Sequence, residues 1–156
     1  MKNSKKFILF VLTSSFIFAC SDVASKPKKS VIQLSNYEKL KKYCLNFKVN
    51  VSDFKNIVVI NEIGTCLNCN NIFSRSQSKN LNSDSTLFIV SGAGGRVDFS
   101  AYINNHSKNL IFDEFADFDT LDIVRSCAIL TIAKNKIHSI EEINIKTVSS
   151  LSSRTY

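Results

Sequence analysis

Apolar positions along this chain come in short runs, and the spacing within each run predicts an element. In residues 36–47, Tyr37, Leu40, Tyr43, Cys44 and Phe47 recur three and four apart, with Lys39, Lys41 and Lys42 off that stripe. That period predicts a helix with one buried face. Residues 56–61 hold Ile57-Val58-Val59-Ile60, a β-branched run with no polar alternation, which predicts a strand buried on both sides. Gly64-Thr65 breaks the pattern, and Thr65 is placed to cap a helix that carries Cys66 and Cys69 in its first turn and runs through Ile72 and Phe73 to about residue 79. A polar loop at 81–85 leads to a second apolar strand at 86–90, ended by Ser91-Gly92-Ala93-Gly94-Gly95. A short helix over 97–106, a short strand at 110–112 and a helical turn at 119–124 follow. Two strands at 129–133 and 136–140, joined at Lys134-Asn135, predict an antiparallel hairpin, and residues 147–156 read as a polar tail. Strand and helix alternate through the middle of the chain, so the expected fold class is α/β, a central sheet with helices on both faces and a C-terminal β-hairpin.

The first twenty residues stand apart from this pattern. Lys2, Lys5 and Lys6 precede an apolar run from 7 to 18 that only Thr13, Ser14 and Ser15 interrupt. A run of twelve residues, nine of them apolar, suits the core of an export signal and is short for a bilayer of about 30 Å. The run closes on Ile17-Phe18-Ala19-Cys20, which resembles a lipobox, with Ile17, Ala19 and Cys20 in the matching positions and Phe18 where a small residue is commoner. The expectation is a lipoprotein signal at 1–19, lipid on Cys20, a polar tether over 20–35 holding the only proline, Pro27, and one domain over 36–146. Such a chain is anchored in a bilayer of the bacterial cell envelope, facing the periplasm or the exterior. Without Lys2, Lys5 and Lys6, 17 basic residues face 13 acidic ones, a net charge of +4 against +7 for the whole chain. The excess is dispersed, as on a solvated surface, and gives no footprint for a nucleic-acid partner.

Export changes the meaning of the five cysteines, Cys20, Cys44, Cys66, Cys69 and Cys127. With Cys20 lipidated, four are left in an oxidising compartment. Cys66-Leu67-Asn68-Cys69 places two sulfurs within bonding reach at a helix start. There the helix dipole and unpaired amides favour a Cys66 thiolate, and Cys69, one turn in, is shielded and can resolve a mixed disulfide. The same pair can instead be a structural staple. As half of a zinc site it would need partners, yet the chain has no second CxxC and no paired histidines.

With the strand that precedes it, this motif resembles the thioredoxin-like superfamily, in the style of the TlpA/ResA group of envelope thiol–disulfide proteins. The likeness rests on Asn56-Ile57-Val58-Val59-Ile60-Asn61-Glu62-Ile63-Gly64-Thr65-Cys66-Leu67-Asn68-Cys69 and on the stretch from Asn109-Leu110-Ile111-Phe112-Asp113-Glu114 to Val124-Arg125-Ser126-Cys127-Ala128-Ile129-Leu130-Thr131-Ile132-Ala133-Lys134-Asn135-Lys136-Ile137. It covers residues 36–145 by order of elements. It implies a thioredoxin-like sheet, Cys66 and Cys69 as the catalytic pair, no organic cofactor, a protein thiol or disulfide as partner, and Cys127 and Ala128 beside the pair as accessory positions. The chain departs from the family by having no Trp, by Ala128 where a cis-proline is usual, and by Asn135 at a turn that usually holds Gly. Without proline a cis bond costs about 2.5–4 kcal/mol, so a trans bond is expected before Ala128.

Other residues carry weaker signals. Cys127 reads as a third redox thiol, a metal ligand with the pair, or a small buried hydrophobe, and Cys44 as core. Glu62, four residues before Cys66, is a surface carboxylate or a proton acceptor for Cys69. His106 and His138 stand alone and take no role. The loop at 91–96 lies where anion-binding loops lie, but it lacks dinucleotide and P-loop spacing and reads as a connection. Phe88, Phe99, Phe112, Phe115 and Phe118 fit core packing. Two functions lead, a membrane-anchored thiol–disulfide oxidoreductase acting on protein thiols, or a non-catalytic binding or assembly lipoprotein with a structural Cys66–Cys69 disulfide; a third, weaker class is a metal-handling lipoprotein using Cys66, Cys69 and Cys127.

Overall fold

The computed structural model describes residues 34–63, 66–103, 105 and 107–152. The lipobox with Cys20, most of the tether, and Gly64, Thr65 and His106 lie outside the described residues. Helix α1 (Asn36–Asn46) starts where Ser35 Oγ accepts the Glu38 N–H at 3.2 Å. Five strands follow, β1 (Asn56–Asn61), β2 (Thr86–Ser91), β3 (Leu110–Asp113), β4 (Ala128–Ala133) and β5 (Lys136–Glu142). They form one sheet in the order β3-β2-β1-β4-β5. β1 pairs in parallel with β2, and β2 with β3, while β4 runs antiparallel to both β1 and β5. Helices α2 (Leu67–Ser78), α3 (Ser100–Ile103) and α4 (Ile145–Ser152) complete the domain, with 3₁₀ turns at Val51–Asp53 and Asp117–Leu121. Among the described residues no helix is long and apolar enough to cross a membrane.

Alternation along the central strands sorts the core into two clusters. Ile57, Val59, Leu87, Ile89 and Ile111 meet Tyr37, Leu40, Tyr43 and Cys44 of α1 and Phe118 of the second 3₁₀ turn. Their neighbours Val58, Ile60, Phe88 and Val90 meet Phe73 of α2, Tyr102 of α3 and Val148 of α4. A strand buried on both faces needs apolar residues at every position, which is why β1 and β2 read as unbroken runs. Helices on both faces of the sheet are thus the arrangement the α/β reading expected.

Three local expectations need correction. The helix predicted over 97–106 shrinks to one turn, α3, held because Tyr102 donates from its hydroxyl to the Ser74 carbonyl at 2.6 Å and Ser74 Oγ to the Asp98 carbonyl at 3.1 Å. The polar tail is not loose from its start: residues 145–152 form α4, so the antiparallel β4–β5 pair is followed by a helix. Asn144 caps that helix, its Oδ1 accepting from the N–H groups of Lys146 and Thr147 at 2.9 and 3.2 Å. Phe115 is not core but 87% exposed. The chain turns after β3, with Ala116 at φ 56°, and this carries Phe118 inward and Phe115 outward.

One polar row crosses the C-terminal ends of the parallel strands. Asn61, Ser91 and Asp113 are cross-strand neighbours and all are buried. Among the described residues Ser91 Oγ is the one buried side-chain oxygen or nitrogen without a hydrogen-bond partner. An unpaired buried hydroxyl costs about 1–3 kcal/mol, so Ser91→Ala should leave stability unchanged or raise it by about 1 kcal/mol in urea unfolding. A fall in stability would mean that the hydroxyl has a partner.

Candidate functional site

β1 delivers the cysteine pair. It ends at Asn61, the chain loops through Glu62 and Ile63, and α2 begins with Cys66 itself as the N-cap. The expectation that Thr65 caps α2 is replaced by this, since Cys66 Sγ accepts the Cys69 N–H at 3.3 Å. Cys66 and Cys69 form a disulfide with a Cα separation of 5.2 Å, inside the usual range. The two sulfurs differ in access. Cys69 is 4% exposed and belongs to the core cluster with Phe73, whereas Cys66 is half-buried at its edge. Cys66 also lines an open groove of about 610 Å³ with Asn144, Ile145 and Lys146 at the start of α4.

The loop between β1 and Cys66 is fastened by buried amides that the apolar pattern passed over. Asn61 Oδ1 accepts the Ile63 N–H at 2.8 Å, and Asn61 Nδ2 donates to Asp119 Oδ1 at 2.5 Å. Asn70, one turn into α2, donates from Nδ2 to the Asn61 and Ile63 carbonyls at 3.1 and 3.2 Å. The signal was present in the sequence: Asn61 continues the inward register of Ile57 and Val59, and Asn70 stands three residues before Phe73 on the buried side of α2. Polar residues at core positions are buried with partners. Burial raises the Asp119 carboxyl above its ordinary range, the Asn61 bond opposes that, and the charge of Asp113 adds to it.

Cys127 lies in the same cluster as Cys69. Its sulfur accepts the Asn61 N–H at 3.3 Å and donates back to the Asn61 carbonyl at 3.5 Å, taking the place of a ladder partner where the β1–β4 pairing ends. Ala128, the first residue of β4, pairs with Val59, and no peptide bond among the described residues is cis. Cys127 is fully buried, and burial pushes its thiol up to about 12. Cys44, equally buried in the other cluster, is pushed up to about 12 for the same reason. Both thiols are therefore protonated at neutral pH and poor nucleophiles.

Because the native thiols hold their protons to about 12 and unfolded thiols ionise near 8.5, their contribution to stability is full below the unfolded value. It is lost as pH rises toward 12. In the native protein Cys44 and Cys127 should resist iodoacetamide at pH 8 and react only after denaturation. Labelling of either in the native state would contradict their burial.

Glu62 faces the loop after β2. Its Oε1 accepts the Arg96 N–H at 2.9 Å, and the rest of its carboxyl lies against Gly92, where a Cβ would come within 2.6 Å of it. Gly92 also sits at φ 122°, where any other residue is strained even if Glu62 moves aside. His138 stands by itself on β5. Among the described residues no three His, Cys, Asp or Glu side chains gather into a group able to hold a metal ion, and Cys66 and Cys69 are bonded to each other. Compared with known protein families, with curated proteins and with solved structures, the chain matches none.

Proposed function

We propose that this chain is a thiol–disulfide exchange protein of the thioredoxin-like kind, acting on protein thiols from a lipid anchor at Cys20 in the bacterial cell envelope. One observation carries the reading: a disulfide at a helix N-terminus whose first sulfur borders an open groove and whose second is buried. The strand order supports it, because the CxxC strand is central, flanked by a parallel strand on one side and by the antiparallel β4 on the other. In the oxidised form a partner thiolate attacks Cys66 Sγ. The S–S bond breaks, and Cys69 leaves as a thiolate. A second partner thiolate then attacks the partner sulfur of the mixed disulfide, Cys66 leaves as a thiolate, and two electrons have passed from the partner dithiol to the protein. In the reduced form the steps run backward, and the Cys69 N–H that already meets Cys66 Sγ is available to stabilise its thiolate.

The test is peptide-disulfide reduction by the dithiol protein, with the cysteines titrated by iodoacetamide. The expected result is turnover with a chemical reductant, and Cys66 alkylated first, below the ordinary thiol pKa. Absence of exchange, or equal slow alkylation of both thiols, would favour the staple reading. The anchor is tested separately by the mass of the native mature protein, which should begin at an acylated Cys20.

A further inference from the structure

A second groove, of about 570 Å³, runs between the outward side of α2 and residues 94–98. Asn68, Asn71 and Arg75 line it from α2, three and four residues apart on one helical face. Gly94, Gly95 and Arg96 line it from the loop. Asn68 stands between the two cysteines in sequence, so one end of the groove lies at the first turn of α2, while Cys66 itself lines the other groove, with α4.

Its walls carry more donors than acceptors, with Asp98 the one carboxylate among the lining residues. Among the described residues the Arg96 guanidinium, the Asn68 amide and the N–H groups of Gly94 and Gly95 have no hydrogen-bond or ion-pair partner. Asn71 uses its Oδ1 to accept the Asp98 N–H at 3.0 Å, which leaves its NH₂ group for another partner. The lining carboxylate, Asp98, and its neighbour Glu62 are already engaged. Glu62 is held by the Arg96 N–H, and Asp98 Oδ1 accepts from Ser100 N at 3.1 Å and Ser100 Oγ at 2.7 Å. The one charge contact across the groove, Arg75 to Asp98 Oδ2, is exposed and long at 3.8 Å. An exposed pair of that kind holds little energy and yields easily to a better acceptor.

We propose that this groove is an oxyanion subsite for the thiol substrate, receiving a carboxylate carried near the sulfur that reacts with Cys66. A planar carboxylate matches the fork of a guanidinium, and backbone amides beside it complete its lone pairs. The carboxylate comes either from an acidic side chain next to the partner's cysteine or from a small acidic thiol. The inference rests on the exchange reading and names its substrate class.

The test measures reduction rates of disulfide-linked peptides that differ only in the residue beside cysteine, Glu, Gln or Lys. A second arm compares oxidised glutathione with the uncharged hydroxyethyl disulfide. The wild-type chain should favour Glu over Gln by about five- to tenfold at low salt, with Lys slowest, and the preference should narrow at high salt. Arg75→Ala with Arg96→Ala should bring the Glu rate down to the Gln rate and leave the Gln rate unchanged. Both arginines are exposed, and circular dichroism checks that the double variant is folded. A preference confined to one arm supports the subsite and identifies the carrier. Equal rates for Glu, Gln and Lys, or a preference that survives the double substitution, overturn the subsite while exchange itself stands. No exchange with any substrate overturns both readings.

Discussion

Replacing Cys66 by Ser should abolish exchange altogether, while Cys69→Ser should leave a protein that attacks once and stalls as a mixed disulfide. The asymmetry follows from access. Cys66 borders solvent and an open groove, whereas Cys69 is 4% exposed and packed in the core cluster with Phe73, so an incoming sulfur meets Cys66 first. Unfolding does not confound the test. Serine is among the best N-cap residues, and at position 66 it accepts the Cys69 N–H as the sulfur does. Loss of the disulfide opens a loop of only four residues, worth about 2 kcal/mol by chain entropy. Single-turnover assays with mass detection of adducts distinguish the outcomes. Activity persisting in Cys66→Ser, or adducts in Cys66→Ser but not in Cys69→Ser, would reverse the roles. A folded, inert wild type with an intact disulfide would make the pair a staple.

Asp113→Ala should destabilise the domain by about 3–5 kcal/mol, a large part of what a domain of this size has. Asp113 is buried at the end of β3, where Oδ2 accepts from the Tyr43 hydroxyl at 3.0 Å and the Phe118 N–H at 2.8 Å, and Oδ1 accepts the Asp117 N–H at 3.1 Å. Alanine leaves three donors unsatisfied, two of them the first amides of the 3₁₀ turn that covers this face of the sheet. That turn carries Phe118, whose ring meets Tyr43 edge-on at 5.4 Å, and Asp119, which holds Asn61 at the entrance to the cysteine loop. The loss should therefore spread from β3 to the site. Urea unfolding gives the size of the effect. Tyr43→Phe, which removes one donor and keeps the ring, should cost about 1.5–3 kcal/mol. Equal losses for the two variants would mean that the backbone amides find other acceptors and that the carboxylate serves only Tyr43.

What could be read from the chain alone is what local spacing encodes. Unbroken β-branched runs mark β1 and β2 because both of their faces are covered, and the apolar stripe marks α1 because one of its faces is. CxxC between a buried run and a helix pattern locates the disulfide, since residues three apart at a helix start are close in any fold. The short 3₁₀ and α3 turns were poorly read because their bounds are set by distant acceptors, as with Tyr102 on the Ser74 carbonyl. The start of α4 was missed because its Asn144 cap sits in a polar stretch with few apolar residues, and one of them, Val148, is buried only by packing in the cluster with Phe73.

The polar machinery was decided by tertiary structure. Asn61 meets Asp119, Cys127 meets Asn61, Tyr43 meets Asp113 and Arg96 meets Glu62 across 58, 66, 70 and 34 positions of sequence. A hydrogen bond leaves no periodic trace in a chain, so its partners emerge only when folding brings the strand ends together. Local spacing alone places two cysteines at a helix start behind a buried strand. The packed sheet decided which sulfur faces the groove, because the same burial that seats Cys69 beside Phe73 leaves Cys66 at the edge of the core.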